Sequence, residues 1–233
     1  MSGAGHWAVI PAAGAGRRMR SRTPKQYLPL LGRAVIEHTL ARFIQHPRIY
    51  GIVVAIDADD DRWPSLKLNS AKPLITVPGG AERCHSVLNA LAHLTTRAEP
   101  QAWVLVHDAV RACLVPEDLD RMIETLDDDP VGGILATRVR DTLKREDADG
   151  CIEQTVDRKG IWHALTPQMF RLRILEIALR RAIDEGTAPT DEAAAVERTG
   201  LRPRLVEGRS DNIKITYPED LAQAEMILAA QAL

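Results

Sequence analysis

Short apolar runs alternate with amphipathic stretches along the whole chain. Runs rich in β-branched residues predict strands at 6–10, 50–57, 73–77, 103–107, 131–139, 203–206 and 212–216. Apolar residues at helical spacing predict helices at 34–45, 82–95, 116–127, 170–185, 190–199 and 217–231. Gly200 is expected to end the fifth helix, and Thr216 with Glu219 to form a capping box for the sixth. The alternation predicts a single α/β domain, residues 1–233, with helices on both faces of a mostly parallel sheet.

One polar segment, residues 138–160, interrupts the alternation. It has little apolar content and a turn signal at Asp149–Gly150, which predicts two extended arms joined by a turn. A polar hairpin is only marginally stable alone, so we expect it to project from the sheet and pack against a second copy of the chain. A mobile surface loop is the alternative interpretation.

Composition limits the function classes. The 233 residues are 45% apolar and carry a net charge of −2, which argues against a general nucleic-acid binder or a polybasic membrane binder. The cysteines, Cys84, Cys113 and Cys151, are widely spaced and form no CxxC pair, so neither a zinc knuckle nor a disulfide framework is indicated. With no signal-peptide core and no long apolar run, we expect a soluble cytoplasmic protein.

A small, cationic turn leaves the first predicted strand. Residues 11–19 read PAAGAGRRM, with Met19 where a GxGxxG motif would need its third glycine, and the chain contains no Walker A motif. Arg17, Arg18 and Lys25 bring cations close to the glycines. Ligands bind beyond the carboxyl ends of parallel strands, so this turn predicts a triphosphate or pyrophosphate site. A solvated basic loop is the other interpretation.

Further charged residues lie at the ends of later predicted strands. Asp108 ends WVLVH and would bind Mg²⁺ on nucleotide phosphates or cap the next helix, and Arg111 follows it. Asp211, Asn212 and Lys214 lie at the start of the last predicted strand and add an acid, an amide and a cation. Residues 190–192 are interpreted as a helix start and His107 as a packed strand-end histidine, because the histidines show no metal-ligand spacing.

Ordered motifs along almost the whole chain resemble one family. PAAGAGRRM, PKQY, HDAVR, VRDT, WHALTPQ, TDEA and VEGRSDNIK occur in the order found in 2-C-methyl-D-erythritol 4-phosphate cytidylyltransferases. The resemblance implies a Rossmann-like, three-layer nucleotidyltransferase fold with a projecting β-hairpin arm that clasps a partner in a homodimer with shared active sites. It also implies transfer of CMP from CTP to methylerythritol phosphate, with Mg²⁺ and release of pyrophosphate.

The resemblance also implies roles for individual residues. The triphosphate and the charge that develops at the α-phosphate are assigned to Arg18, Lys25 and Lys214, with Arg17 bordering the pocket. Asp108 is assigned to metal and substrate together. Cytosine and ribose are assigned to the backbone of Ala12, Ala13, Gly14 and Gly80, with Ser86, and Gly16 is assigned to substrate binding. The methylerythritol phosphate is assigned to Arg111, Thr142 and the partner's Arg158.

Departures from the family pattern leave alternatives open. Ala81 stands where relatives commonly carry Asp, which puts a ribose contact in doubt, and Val110 stands in HDAVR where HDAAR is usual. A nucleotidyltransferase for another polyol or sugar phosphate would keep the glycine turn. A glycosyltransferase would use a DxD motif, a spacing present at 59–61 and 127–129. A non-catalytic nucleotide-binding module would not need Lys25, Lys214 and Asp108 together.

Overall fold

A seven-stranded sheet forms the centre of the protein. A computed structural model describes residues 5–19 and 21–231, with the backbone alone described at position 17. The strand order is β11-β7-β10-β6-β1-β4-β5, and two small two-stranded sheets pair β2 with β3 and β8 with β9. The strands are β1 His6–Pro11, β2 Pro29–Leu30, β3 Arg33–Ala34, β4 Ile49–Ile56, β5 Leu74–Pro78, β6 Trp103–Val106, β7 Gly132–Arg138, β8 Leu143–Glu146, β9 Ile152–Val156, β10 Trp162–Arg171 and β11 Arg204–Glu207.

Helices cover both faces of this sheet. They are α1 Val35–Gln45, α2 Arg83–Leu94, α3 Pro116–Leu126, α4 Leu172–Asp184, α5 Glu192–Glu197 and α6 Pro218–Gln231. Along β1, Trp7 and Val9 pack with α2, α4 and α5 in one apolar cluster, whereas Ala8 and Ile10 pack with α1 and α3 in another. Successive strand residues point to opposite faces, so a continuous apolar run produces a strand buried on both sides. The predicted α/β class and its covered, mostly parallel sheet are confirmed.

The sequence pattern missed one strand of the central sheet, besides the two short strands β2 and β3. β10 runs antiparallel between β6 and β7, in a sheet whose other neighbouring strands are parallel. Pro167 interrupts its apolar run, and its pairing with β7 shifts register between Ala164 and Gln168. Proline within an apolar run argues against a central strand, so the sequence pattern predicts no strand for this segment. The helix predicted at 170–185 accordingly begins later, at Leu172.

Two predicted details near the carboxyl end are wrong. Residues 212–216 form no strand, because their backbone groups bond to side chains and to a loop. Arg111 Nη1 donates to the Asn212 backbone carbonyl at 2.6 Å, Lys25 Nζ donates to the Ile215 backbone carbonyl at 3.1 Å, and the Ile215 N–H donates to the Val110 carbonyl at 3.0 Å. The capping box at Thr216 does not use Glu219. Asp220 instead accepts from the Thr216 N–H at 2.7 Å and from the next N–H at 2.8 Å, so it satisfies free donors before α6.

The polar segment forms the predicted hairpin. β8 and β9 pair antiparallel from Leu143↔Val156 to Glu146↔Ile152, as a sheet separate from the central one. Asp147 closes the turn by accepting N–H bonds from Asp149 and Cys151. Nearly all of the hairpin's side chains are exposed, including two-thirds of Ile152. We call β8, β9 and their connections, residues 139–161, the arm.

The described helices include none that is both long and apolar enough to cross a bilayer.

Candidate active site

A cavity of about 650 Å³ opens beyond the carboxyl ends of four neighbouring strands. The chain leaving β1 supplies one wall, and the residues that follow β4, β5 and β6 supply the others. Parallel strands end at one edge of a sheet, so residues far apart in sequence meet there. Among the predicted site residues, the following line this cavity: Ala12, Ala13, Gly14, Gly16, Lys25, Gly80, Ser86, Asp108 and Lys214.

The glycine turn presents backbone donors to the cavity. Among the described residues, the N–H groups of Ala13, Gly14 and Ala15 donate to no protein acceptor. The turn is fixed from behind by Gln26, whose amide donates to the carbonyl of Ala12 at 2.6 Å and to that of Gly14 at 3.2 Å. Free N–H groups on a fixed turn favour an anion. Gln26 was not among the predicted site residues.

Lys25 is held against this turn. Gly16 has φ of +65°, and a Cβ there would lie 2.8 Å from Lys25 Cγ, so only glycine suits the position. The ammonium of Lys25 donates to the Ile215 carbonyl, at 3.1 Å. Burial, and then the nearby cation Lys214, lower the pKa of Lys25 to about 8. Lys25 is therefore expected to lose its proton at about pH 8, well below the pH at which an exposed lysine does so.

Asp108 lies at the centre of a cluster of cations. Its Oδ1 accepts from Arg83 Nε at 2.9 Å, and its Oδ2 lies 2.8 Å from Lys214 Nζ and 3.6 Å from Arg111 Nε. Burial alone would raise the pKa of Asp108, but Arg83, Lys214 and Arg111 outweigh it and hold the pKa well below its usual range. The carboxylate is therefore ionised throughout the physiological range. It partly neutralises cations that would otherwise repel one another.

An ion pair behind this cluster was not predicted. Arg83 donates to Glu192 through both terminal guanidinium nitrogens, Nη1 and Nη2, at 2.7 and 3.0 Å, while its Nε donates to Asp108. The Glu192 side chain is 1% exposed. Burial would lower the pKa of Arg83, but Glu192 and Asp108 raise it well above its usual value. The two hydrogen bonds to Glu192 fix the plane of the Arg83 guanidinium. Glu192 therefore positions Arg83, and Arg83 in turn positions Asp108.

The sequence offered a weak signal for this pair. Asp191 behaves as the expected helix start, since it caps α5 by accepting from the Ala194 N–H at 2.8 Å. An acid that directly follows a capping acid is typical of the first turn of a helix, where it interacts favourably with the helix dipole. The sequence therefore predicted for Glu192 only a part in the helix start. Its burial depends on the fold bringing α2 and α5 together, which local pattern does not contain.

Among the described residues, the acids that line this cavity are Asp57, Glu82 and Asp108. Asp108 is the one that lies among the cations, and it suits a metal ion there only if a ligand supplies most of the coordination. Asp108 offers a single carboxylate, and cations already contact both of its oxygens. A carboxylate has about four lone-pair sites, so it can accept a metal ion without losing these contacts. Mg²⁺ commonly takes one or two carboxylates and completes its shell with phosphate oxygens and water. The residues present therefore fit an ion that arrives with a polyphosphate.

Other predicted residues lie outside this cavity. Arg18 is exposed, with its guanidinium carbon 5.9 Å from the centre of the Tyr217 ring. Arg111 is buried and does not line the cavity, although its Nε lies 3.6 Å from Asp108 Oδ2. Thr142 and Arg158 lie on the arm, where Arg158 donates to the carbonyl of Arg140. The side chain of Arg17 lies outside the described part of the chain.

The remaining polar candidates have structural partners. His107 is fully buried between the Thr166 hydroxyl, at 2.9 Å, and the Arg111 carbonyl, at 3.1 Å, and burial lowers the pKa of His107 to about 4. In the first acidic run Asp60 accepts from the Tyr27 hydroxyl at 2.5 Å, and in the second Asp127 lies 2.9 Å from His6. Neither run lines the main cavity, but the run at 59–61 lines a smaller one of about 160 Å³ on the other side of the glycine turn, which shares Ala13, Gly14 and Ala15 with it.

Known proteins of similar sequence cover almost the whole chain. The family model described as 2-C-methyl-D-erythritol 4-phosphate cytidylyltransferase matches residues 6–230. A protein of that name from Pseudomonas aeruginosa is 54% identical over 220 residues, which are 94% of each chain. Another from Ectopseudomonas mendocina is 56% identical over 217 residues, covering 93% of this chain and 92% of the other.

Solved structures agree with this fold. A crystal structure of 4-diphosphocytidyl-2C-methyl-D-erythritol synthase superposes with a TM-score of 0.83 at 37% identity, covering 96% of this chain and 98% of that one. The 2-C-methyl-D-erythritol 4-phosphate cytidylyltransferase of Francisella tularensis gives a TM-score of 0.81 at 35% identity, covering 96% and 99%. Sequence and fold together show that the chain belongs to the 2-C-methyl-D-erythritol 4-phosphate cytidylyltransferase family.

Proposed function

We propose that the protein transfers CMP from CTP to 2-C-methyl-D-erythritol 4-phosphate, giving CDP-methylerythritol and pyrophosphate for isoprenoid precursor synthesis. Membership of the family supports this reaction. The observation that carries it is the juxtaposition of free N–H donors on the glycine turn with Lys25, Lys214 and Asp108 around one cavity. That arrangement suits a nucleoside triphosphate whose α-phosphorus is to be attacked.

The chemistry requires positioning rather than a strong base. A phosphate oxygen of methylerythritol phosphate forms a bond to the α-phosphorus of CTP, and the bond to the bridging oxygen of pyrophosphate breaks. The nucleophile is already an anion, so no proton has to be removed from it. The barrier comes from bringing anions together and from charge growing on the α-phosphate oxygens. The cations at the cavity counter both.

Each group of residues has a part in this proposal. Lys25 and Lys214 hold the α-phosphate oxygens as charge develops, and Arg18, with Arg17 beside it, binds the outer phosphates. The turn residues Ala12, Ala13, Gly14 and Gly16 hold the nucleotide by their backbone. Gly80 and Ser86 complete the base and ribose site, where the Gly80 N–H already donates to Ser86 Oγ at 3.0 Å.

Enzymes of this kind typically use a divalent metal ion, and we propose Mg²⁺. Asp108 would hold it together with the phosphates of CTP, and the ion would supply charge neutralisation between them. Asp108 also keeps Lys214 and Arg83 directed toward the cavity. The free cysteines Cys84, Cys113 and Cys151 are consistent with action in the cytoplasm, a reducing compartment.

We further propose that the protein acts as a homodimer with shared active sites. Arg111, Thr142 and the partner's Arg158 would bind the methylerythritol phosphate. The exposed arm supports this arrangement, because a two-stranded sheet with an exposed Ile152 gains stability only by packing against another surface. The proposed reaction involves neither a nucleic acid nor a membrane.

A nucleotide panel tests the reaction. Pyrophosphate release is measured with CTP, UTP, ATP and GTP, each with and without methylerythritol phosphate. Release should require the polyol phosphate and should be faster with CTP than with UTP by at least about fivefold. The reason is that the cytosine amino group donates where uracil accepts, and a buried mismatch costs about 1–3 kcal/mol. Equal use of GTP and CTP, or release without the acceptor, would refute the proposal.

A further inference from the structure

Three metal-ligating side chains meet at the start of α2, outside the cluster around Asp108. Glu82, Cys84 and His85 each place one ligand atom so that all three atoms lie within 4.8 Å of one another. Cys84 Sγ lies 4.0 Å from Glu82 Oε2 and 3.9 Å from His85 Nδ1. Glu82 is exposed and His85 half-buried, which leaves an approach from solvent, and Cys84 is a free thiol at the inner end.

The ligand set selects a soft cation. Thiolate and imidazole are preferred ligands of Zn²⁺, whereas Mg²⁺ binds oxygen. With Zn–S near 2.3 Å and Zn–N near 2.0 Å, ligand atoms of a tetrahedral site lie roughly 3.5 Å apart. The observed separations of 3.9 and 4.0 Å therefore need a closure of about half an ångström. Three protein ligands and a water would complete four-coordination, and the thiol proton would pass to solvent.

The same turn forms a wall of the nucleotide cavity. Glu82 and Gly80 line the cavity. The Gly80 N–H donates to Ser86 Oγ, which donates to the Glu82 carbonyl at 3.3 Å. Gly80 lies so close to His85 that a Cβ at position 80 would be 2.3 Å from His85 Cβ. Gly80 therefore packs directly against His85, so a backbone shift at His85 on metal binding would be passed to Gly80.

We propose that Glu82, Cys84 and His85 form a binding site for Zn²⁺ or a similar thiophilic divalent cation, and that its occupancy weakens CTP binding. Ligation draws Glu82 toward Cys84 and shifts Gly80, whose N–H donates to Ser86 in the first turn of α2. The site is distinct from Asp108, and its effect falls on the KM for CTP rather than on kcat. Linkage requires that CTP weakens zinc binding by the same factor.

Cobalt provides a direct test of the site without any assay of activity. Co²⁺ titrated into the nucleotide-free protein should produce a thiolate-to-cobalt charge-transfer band in the near ultraviolet that saturates at one equivalent and is abolished by added Zn²⁺. Cys84→Ser should remove the band, and His85→Asn or Glu82→Gln should weaken binding at least about tenfold. Cys151→Ser and His93→Asn are the matched controls, and both should leave the band unchanged.

Two results would overturn the site. One is the absence of the band in the wild-type protein, and the other is its persistence in Cys84→Ser or its loss in Cys151→Ser. If Cys84→Ser fails to fold by circular dichroism, the other two ligand variants decide, because their side chains are exposed or half-buried.

The coupling is tested separately with excess Mg²⁺. Micromolar Zn²⁺ should raise the KM for CTP several-fold in the wild-type protein and leave it unchanged in Cys84→Ser, which also corrects for zinc bound by free nucleotide. An unchanged KM in a zinc-loaded wild-type protein would overturn the coupling.

Discussion

The lowered pKa of Lys25 makes the pH dependence of the reaction a test of its role. If the protonated ammonium binds the α-phosphate, kcat/KM for CTP should fall as pH rises through about 8, the pKa of Lys25 in the free protein. With this pKa, about nine-tenths of the lysine is charged at pH 7 and about one-tenth at pH 9, so kcat/KM should drop roughly tenfold between them. Bound triphosphate stabilises the ammonium, so the fall in kcat should occur at higher pH.

The assay is initial-rate pyrophosphate release from pH 6 to 10 at saturating methylerythritol phosphate and Mg²⁺. Lys25→Arg is the matched variant, because a guanidinium does not lose its proton in this range. Its kcat/KM should be lower at every pH but level between pH 7 and 9. Lys214→Arg keeps the titrating lysine and should keep the fall. A level wild-type profile, or the same fall in Lys25→Arg, would refute the reasoning.

Three further predictions concern charge, stability and assembly. Lys25→Ala and Lys214→Ala should each lower kcat by about 100-fold or more, as for loss of an oxyanion donor, with the melting temperature nearly unchanged; near-normal turnover in both would contradict the assignment. Glu192→Gln should destabilise the fold by about 2–3 kcal/mol, less than a fully buried pair because Arg83 is 29% exposed and keeps Asp108. Its melting temperature should fall by roughly 4–12 °C in calorimetry, whereas the exposed Glu197→Gln on the same helix should not change it. Mixing inactive Lys25→Ala and Arg158→Ala chains under subunit exchange should restore about a quarter of wild-type activity, because half the dimers are mixed and each carries one intact shared site; verified exchange without recovery would exclude sharing.

The fold was predictable wherever local pattern and burial agree. Strands such as β1 and β6 are apolar on both faces, and helices such as α3 have a clear apolar stripe, so periodicity alone locates them. β10 escaped because Pro167 breaks its run and because its neighbours β6 and β7 are set by topology. Residues 212–216 have strand-like composition, yet their carbonyls bind Arg111 and Lys25.

The candidate site was predictable only in part, because local sequence pattern does not contain the contacts that the topology creates. Residues next to strand ends, such as Ala12 and Asp108, are placed by the geometry of a parallel sheet. Arg83 and Glu192 are 109 positions apart, and neither stands in a motif that signals the other. Gln26 lies inside the recognised motif PKQY. Its hydrogen bonds to the Ala12 and Gly14 carbonyls depend on the shape of the folded turn, which the motif does not reveal.

The antiparallel placement of β10 affects how this protein can change over evolutionary time. β7 and β10 pair from Trp162↔Arg138 onward, and the arm joins their adjacent ends, so it extends a ribbon that is already closed by hydrogen bonds. Residues can be gained or lost at the tip without a new crossover in the central sheet. Selection can therefore alter the length and sequence of the proposed subunit contact while the proposed nucleotide-binding edge, carried by other strands, keeps its geometry.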